Sequence, residues 1–287
     1  MSYPEDLRSL VDAELERLRF PDPPVTAGLE EAMRYSLLAG GKRVRPVLAL
    51  ATARALGADP RRYLPAATAL ELIHTYSLIH DDLPAMDDDN LRRGKPTAHV
   101  KFGEDVAILA GDGLFAEAIR LFCGQPGEPA RVLAALAELT AATGVDGMVG
   151  GQYADVAGGL AGAEALRELH ALKTGRLIAA SVGVVLALEG LAEPETMPYR
   201  RFAGELGVLF QIVDDILDVT GSDEQLGKPR GSDERHGKLT YVSLFGLERA
   251  RELAAESHAK ATESLAGAGG ETGDLSGIAE YIFTRNE

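Results

Sequence analysis

The segment SLIHDDLPAMDDDNLRRGKP, residues 77–96, places five aspartates within nine positions: Asp81, Asp82, Asp87, Asp88 and Asp89. Arg92, Arg93 and Lys95 follow at once. A second acidic block, GVLFQIVDDILDVTGSD at 207–223, sets Gln211, Asp214, Asp215 and Asp218 at i, i+3, i+4 and i+7, one face of an α-helix. The residues between them, Leu209, Phe210, Ile212, Val213, Ile216, Leu217 and Val219, are apolar, the reverse of a surface helix. Such a stripe is expected to face an internal cavity, where carboxylates repel unless cations join them. A solvated acidic face is the rival reading, and the apolar neighbours count against it. Oxygen ligands without a His/Cys cluster suit Mg²⁺, which seldom sits in an all-protein cage and usually bridges carboxylates to substrate phosphates.

The first block breaks a local rule. His74, Ser77 and Asp81 fall on one helical face, and Pro84 ends that helix. Asp81 and Asp82 therefore stand near a helix C-terminus, where the dipole disfavours a negative charge by about 0.3–1 kcal/mol. Violations of this kind mark functional sites. Asp87 follows Asp81 by six residues and would not share its face on an ideal helix, so the Leu-Pro-Ala-Met insert must bend the chain if the two carboxylates are to meet. Two basic islands, GGKRVRP with Lys42, Arg43 and Arg45, and LRRGKP with Arg92, Arg93 and Lys95, are the places where anionic groups would be held. Carboxylates that hold metals, metals that hold one phosphate group and cations that hold another describe chemistry on two phosphorylated substrates, or cleavage of one.

The elements that position these residues are helical. The 287 residues are 46% hydrophobic, with no Trp and 6% aromatics, and alternating β-branched runs are few. Helices are expected near 5–19, 26–39, 43–57, 63–82, 104–122, 128–143, 145–157, 163–189, 196–220, 239–265 and 275–284, with breaks where Gly and Pro cluster. The whole chain, 1–287, reads as one large all-α domain with buried central helices. The net charge of −15 disfavours general binding of nucleic acid or anionic membrane. The longest apolar run, LIAASVGVVLAL at 177–188, is shorter than the roughly 20 residues a bilayer span takes, so no membrane span is expected. One cysteine, Cys123, and no secretory pattern at the N-terminus fit a reducing, cytoplasmic location.

Taken together, these blocks resemble the trans-isoprenyl diphosphate synthases, most closely the bacterial farnesyl diphosphate synthases. DDLPAMDDDNLRRG resembles their first aspartate-rich motif and DDILD the second. GGKRVRP, GMVGGQYAD, LHALKTGRL and GKLTY resemble further family blocks, in family order, from about Gly40 to Tyr241. The resemblance implies helices around a deep central cavity, a homodimer, and a cofactor of about three Mg²⁺ ions. It implies that Asp81, Asp87 and Asp214 bind the metal, with Asp82 and Asp218 in support. Arg92, Lys173 and Lys228 would clamp the allylic diphosphate (dimethylallyl or geranyl), with Lys238 also on substrate. Gly41, Lys42, Arg45, His74 and Arg93 would hold isopentenyl diphosphate, and Thr174 and Gln211 would line the reaction centre. Asn90 and Val242 depart from the common pattern and touch only local loop detail.

The implied reaction is ionisation of the allylic diphosphate, attack by the isopentenyl double bond, and loss of a proton to the released diphosphate. An allylic cation needs a dry apolar chamber, and the loop near 223–238 and the tail are expected to close over it. Tyr76 lies five residues before Asp81, about 7.5 Å down the helix axis. The resemblance makes it the floor that stops growth at C15, against the plain reading of a core tyrosine. Three rivals stay open: a geranylgeranyl (C20) synthase, a class I terpene cyclase or metal phosphohydrolase, and a non-catalytic regulatory subunit. The Lys42/Arg45 island argues against a cyclase, six histidines are too few for an HD-type hydrolase with its further ligands, and the intact acidic motifs argue against a silent subunit.

Overall fold

The computed structural model describes residues 3–21, 23–159, 161–221 and 238–285. Helix α1 (Glu5–Arg17) has Glu5 and Asp6 in its first turn and Arg17 in its last, the charge order a helix dipole favours. After α2 (Leu29–Leu37), helix α3 (Val44–Ala55) buries every residue except Arg54. Helix α4 (Leu64–Asp81) is buried along most of its length. A two-residue hairpin, β1 (Leu91–Arg92) with β2 (Lys95–Pro96), leads into α5 (Ala98–Phe102) and α6 (Glu104–Cys123). Then come α7 (Pro129–Thr143), α8 (Met148–Ala157), α9 (Gly162–His170), α10 (Arg176–Glu189) and α11 (Glu193–Thr220). Beyond residue 237 lie α12 (Tyr241–Phe245), α13 (Leu247–Leu265) and α14 (Gly273–Thr284).

Helices apolar on nearly all sides belong inside. Helices α3, α4, α10 and the second half of α11 are of this type, and one contiguous core of buried side chains runs through them. Outer helices cover them with one face each: α13 lies along α11, and α6 lies along α4.

The structure departs from the sequence reading at several points, each with a local cause. The expected helix 163–189 is continuous, but Ala171–Gly175 is a π-helical turn between α9 and α10. The unbroken helix 162–189 has 28 residues, long and apolar enough by composition to cross a bilayer. Leu177, Ile178, Val182, Val184 and Val185 are fully buried in the protein, so this is a core helix. The expected helix 239–265 breaks at Gly246, whose φ of 78° ends α12. The hairpin and α5 were not legible, because each is too short to show a period.

Candidate active site

Helix α4 ends on Asp81, and the chain then folds back on itself. The Asp82 N–H still donates to Leu78 O (3.1 Å), whereas the Asp87 N–H donates to Asp81 O across the bend (2.9 Å). Asp88 N–H donates to Leu83 O (3.1 Å), and Asp88 adopts φ 50°. The Leu-Pro-Ala-Met insert thus brings Asp87 back to Asp81. The Asp81 carboxyl is pushed up to about 6, first by burial; Asp87 raises it further, while Lys173, Arg92 and Lys238 oppose.

Both lysines arrive from elsewhere in the fold. Lys173 sits in the π turn, a deformation common at functional sites. Its backbone lies so close to α8 that a Cβ on Gly151 would stand 2.3 Å from the Lys173 nitrogen. Lys173 Nζ donates to Asp155 (2.6 Å), and Lys238 Nζ donates to Asp87 (2.9 Å) and lies 3.8 Å from Asp155. Thr174, next in the π turn, donates its hydroxyl to Gln211 Oε1 (3.0 Å) on α11.

The paired arginines separate because of the hairpin. Its central residues, Arg93 and Gly94, have φ 54° and 73°, the left-handed pair of a type I′ turn. Arg92 turns to Asp82, with Nε at 2.7 Å and Nη2 at 2.5 Å, and to Asp89 at 3.5 Å. Arg93 donates instead to Gly40 O, and its guanidinium covers Gly41. A Cβ on Gly41 would stand 2.6 Å from Arg93 Cζ, and its φ of 123° is itself a glycine conformation. The two basic islands are therefore one patch.

Within that patch Arg43 is committed to structure: it donates to Glu71 (2.7 Å), Asp12 (3.0 Å) and Leu37 O (3.0 Å). Arg45 is 8% exposed, its Nε has no hydrogen-bond partner among the described residues, and burial pushes its guanidinium down to about 10. Burial first, and then Arg45, Arg93, Arg92 and Arg43, hold His74 well below the usual imidazole range, so it is neutral. Lys42 is lowered by burial and by Arg285, with Asp214 opposing. Cations gathered around a neutral imidazole, one of them buried without a hydrogen bond at Nε, are suited to receive an anion.

The second acidic motif is on α11, with Asp214 near enough to Lys42 and Arg45 to act on both. The Asp214 side chain is 56% exposed and meets Arg285 at 3.4 Å, while Asp215 and Asp218 are buried. Among the described residues, no three acidic, histidine or cysteine side chains converge tightly enough to hold a metal ion alone. The carboxylates lie in two groups, Asp81 and Asp87 after α4 and Asp214 and Asp218 on α11; Arg92 acts on Asp81, and Arg45 and Lys42 feel Asp214. An open, all-oxygen donor set of this kind fits Mg²⁺ that keeps waters and is shared with phosphate.

The family model described as polyprenyl synthetase matches residues 26–269. The chain belongs to the polyprenyl synthetase family. This family member is a short-chain trans-prenyltransferase. It is 47% identical over 264 residues to a chloroplastic geranylgeranyl pyrophosphate synthase of Capsicum annuum, covering 90% of this chain and 72% of that one. It is 46% identical over 278 residues to a farnesyl diphosphate synthase of Geobacillus stearothermophilus, covering 95% and 92%. Its fold matches a geranyltransferase from Helicobacter pylori, solved with magnesium and isoprenyl diphosphate, at a TM-score of 0.88 and 32% identity over 99% and 98% of the two chains.

In this family member the sequence-predicted residues fall into distinct groups. Asp81, Asp87, Lys173 and Lys238 converge; Thr174 meets Gln211; Gly41, Arg45, His74, Arg92 and Arg93 share the cationic patch; Lys42 and Asp214 lie near each other. Asp82 is 3% exposed and tied to Arg92, so its contact in this structure orients a guanidinium. Lys228 lies outside the described residues. Sequence reasoning missed Asp155, which spaces the two lysines, although a lone charge in the ten-residue helix α8 was a usable signal. It also missed Arg285, for which no local pattern exists.

Proposed function

We propose that this prenyltransferase condenses isopentenyl diphosphate with dimethylallyl or geranyl diphosphate, stops at farnesyl diphosphate, and uses Mg²⁺. What supports this reading is a cationic patch at Arg45, His74 and Arg93 within electrostatic reach of Asp214 and, through Arg92, of Asp81. Two diphosphates need two kinds of holder, one cationic and one through shared metal. Mg²⁺ held by Asp81, Asp87 and Asp214 would supply positive charge at the departing diphosphate. Lys173, Lys238 and Arg92 supply protein charge on the same side, where breaking the allylic C–O bond builds negative charge on oxygen. Arg45, Lys42, Arg93 and neutral His74 hold the second substrate by its diphosphate and leave its double bond free to attack C1 of the cation. The proton then leaves to the released diphosphate, so no His–carboxylate base is needed.

The C15 stop rests on Tyr76. It is 9% exposed and wedged edge-on between Phe115 (centroids 5.3 Å, 78°) and His80 (5.8 Å, 77°). A ring held from two sides is a firm floor. The C20 reading draws on the equally similar geranylgeranyl synthases, and product sizing separates the two. Incubation with Mg²⁺, isopentenyl diphosphate and geranyl diphosphate should release diphosphate and yield C15. A C20 end product refutes the floor, and no diphosphate release refutes the whole reading.

We also infer a homodimer in a reducing cytoplasm. Ile108, Leu109 and Phe115 on α6 are 43%, 56% and 38% exposed, an apolar stripe that a second copy would cover, and Cys123 is unpaired.

A further inference from the structure

The adjacent aspartates of the second motif do different things. Asp214 opens outward, whereas the Asp215 side chain is 1% exposed and both of its oxygens accept hydrogen bonds. Oδ1 accepts from Gln211 Nε2 (2.8 Å) and Oδ2 from the Tyr241 backbone N–H (2.7 Å). The His170 ring stacks on Tyr241 with centroids 5.6 Å apart and brings Nε2 to 3.8 Å from Oδ2.

We propose that Asp215 is a positioning residue, not a metal ligand: it sets the direction of the Gln211–Thr174 hydrogen bonds and anchors the segment that carries Lys238. A carboxylate only accepts, so it fixes the amide of Gln211 with nitrogen toward itself and oxygen toward Thr174. Thr174 must then donate its proton to Gln211, and its hydroxyl oxygen is left with lone pairs and no proton to present. Lone pairs stabilise a developing allylic cation, and an O–H pointed the same way would repel it. The other oxygen pins Tyr241 three residues after Lys238, whose ammonium reaches Asp87. One buried carboxylate thus orients the reaction centre and holds a lysine against the first acidic motif.

This rests on the placement of Thr174 and Gln211 at the reaction centre. Asp215→Asn keeps the shape but loses one of the two oxygens that accept from Gln211 Nε2 and the Tyr241 N–H among the described residues. It should lower kcat roughly 10–100-fold, as loss of an orienting partner does. KM for isopentenyl diphosphate and the Mg²⁺ concentration for half-maximal rate should stay within about twofold, whereas Asp214→Asn should raise the Mg²⁺ requirement about tenfold or more. Hydrogen exchange at 238–245 should quicken. In Thr174→Val/Asp215→Asn the losses should not add, because both act through one chain of bonds. An Mg²⁺ requirement raised as in Asp214→Asn, unchanged kcat, or fully additive losses would overturn the proposal. If Thr174→Val alone leaves kcat intact, the reaction-centre placement fails instead. Should Asp215→Asn not fold, Gln211→Met serves: it must lower kcat while leaving exchange at 238–245 unchanged, and failure of either overturns the proposal.

Discussion

Asp81→Asn should make the metal-free protein more stable at neutral pH while removing its activity. The Asp81 carboxyl stands at about 6 in the folded chain against 3.8 for an ordinary aspartate. A raised acid means that the fold prefers the protonated form. The folded chain therefore loses stability as pH climbs from about 4 to about 6 and stays lowered above that. Two units at about 1.4 kcal/mol each set an upper figure near 3 kcal/mol. Asp81 keeps part of its surface open to the site, so screening reduces the expected gain to about 1–2 kcal/mol. Asparagine has nothing to ionise and escapes this penalty; Lys173 and Lys238 keep Asp155 and Asp87 as partners. The assay is urea unfolding followed by circular dichroism in EDTA. The variant should be more stable at pH 7.5, and its advantage should vanish near pH 4. A variant no more stable than the parent at pH 7.5, or an advantage of equal size at both pH values, refutes the reasoning. With Mg²⁺ and diphosphate the order should reverse, because only the parent gains the binding energy.

The other predictions are more direct. Tyr76→Ala should lengthen the products beyond C15 on chromatographic sizing; an unchanged C15 end point removes Tyr76 as the floor. Asp155→Asn frees Lys173 and Lys238 from their shared carboxylate and should cost roughly 10–100-fold in kcat, with thermal unfolding little changed. Ile108→Glu places a charge in the exposed stripe of α6 and should turn a dimer into monomers by sedimentation.

Much of the site was readable before any fold was known. The i, i+3, i+4, i+7 spacing of Gln211, Asp214, Asp215 and Asp218, set in apolar sequence, implied an inward acidic face; on α11 Asp215 and Asp218 are buried, whereas Asp214 is exposed. The bend between Asp81 and Asp87 also followed from spacing, since six residues on a straight helix point apart. Three features were not readable. The π turn that presents Lys173 and Thr174 looks in sequence like uninterrupted helix, because the backbone approaches of Gly151 from α8 and Gly207 from α11 to it are tertiary contacts. The separation of Arg92 from Arg93 comes from a six-residue hairpin, Leu91 to Pro96, with no period to detect. Arg285 reaches Asp214 across 71 positions, and nothing local predicts such a contact.

Composition, spacing and block order by themselves determined that the chain is helical, where its acidic and basic motifs lie, and which chemistry they suit. These depend on short-range periodicity and on residue type. The tertiary structure alone decided which charges neutralise each other and which remain open to a ligand. Arg43, Arg45, Arg92 and Arg93 are one residue type in two short islands, yet Glu71 and Asp12 occupy the first and Asp82 the third, while Arg45 stays buried with its Nε unbonded. Burial and partner distance set those outcomes, and both are made by packing between segments far apart in the chain.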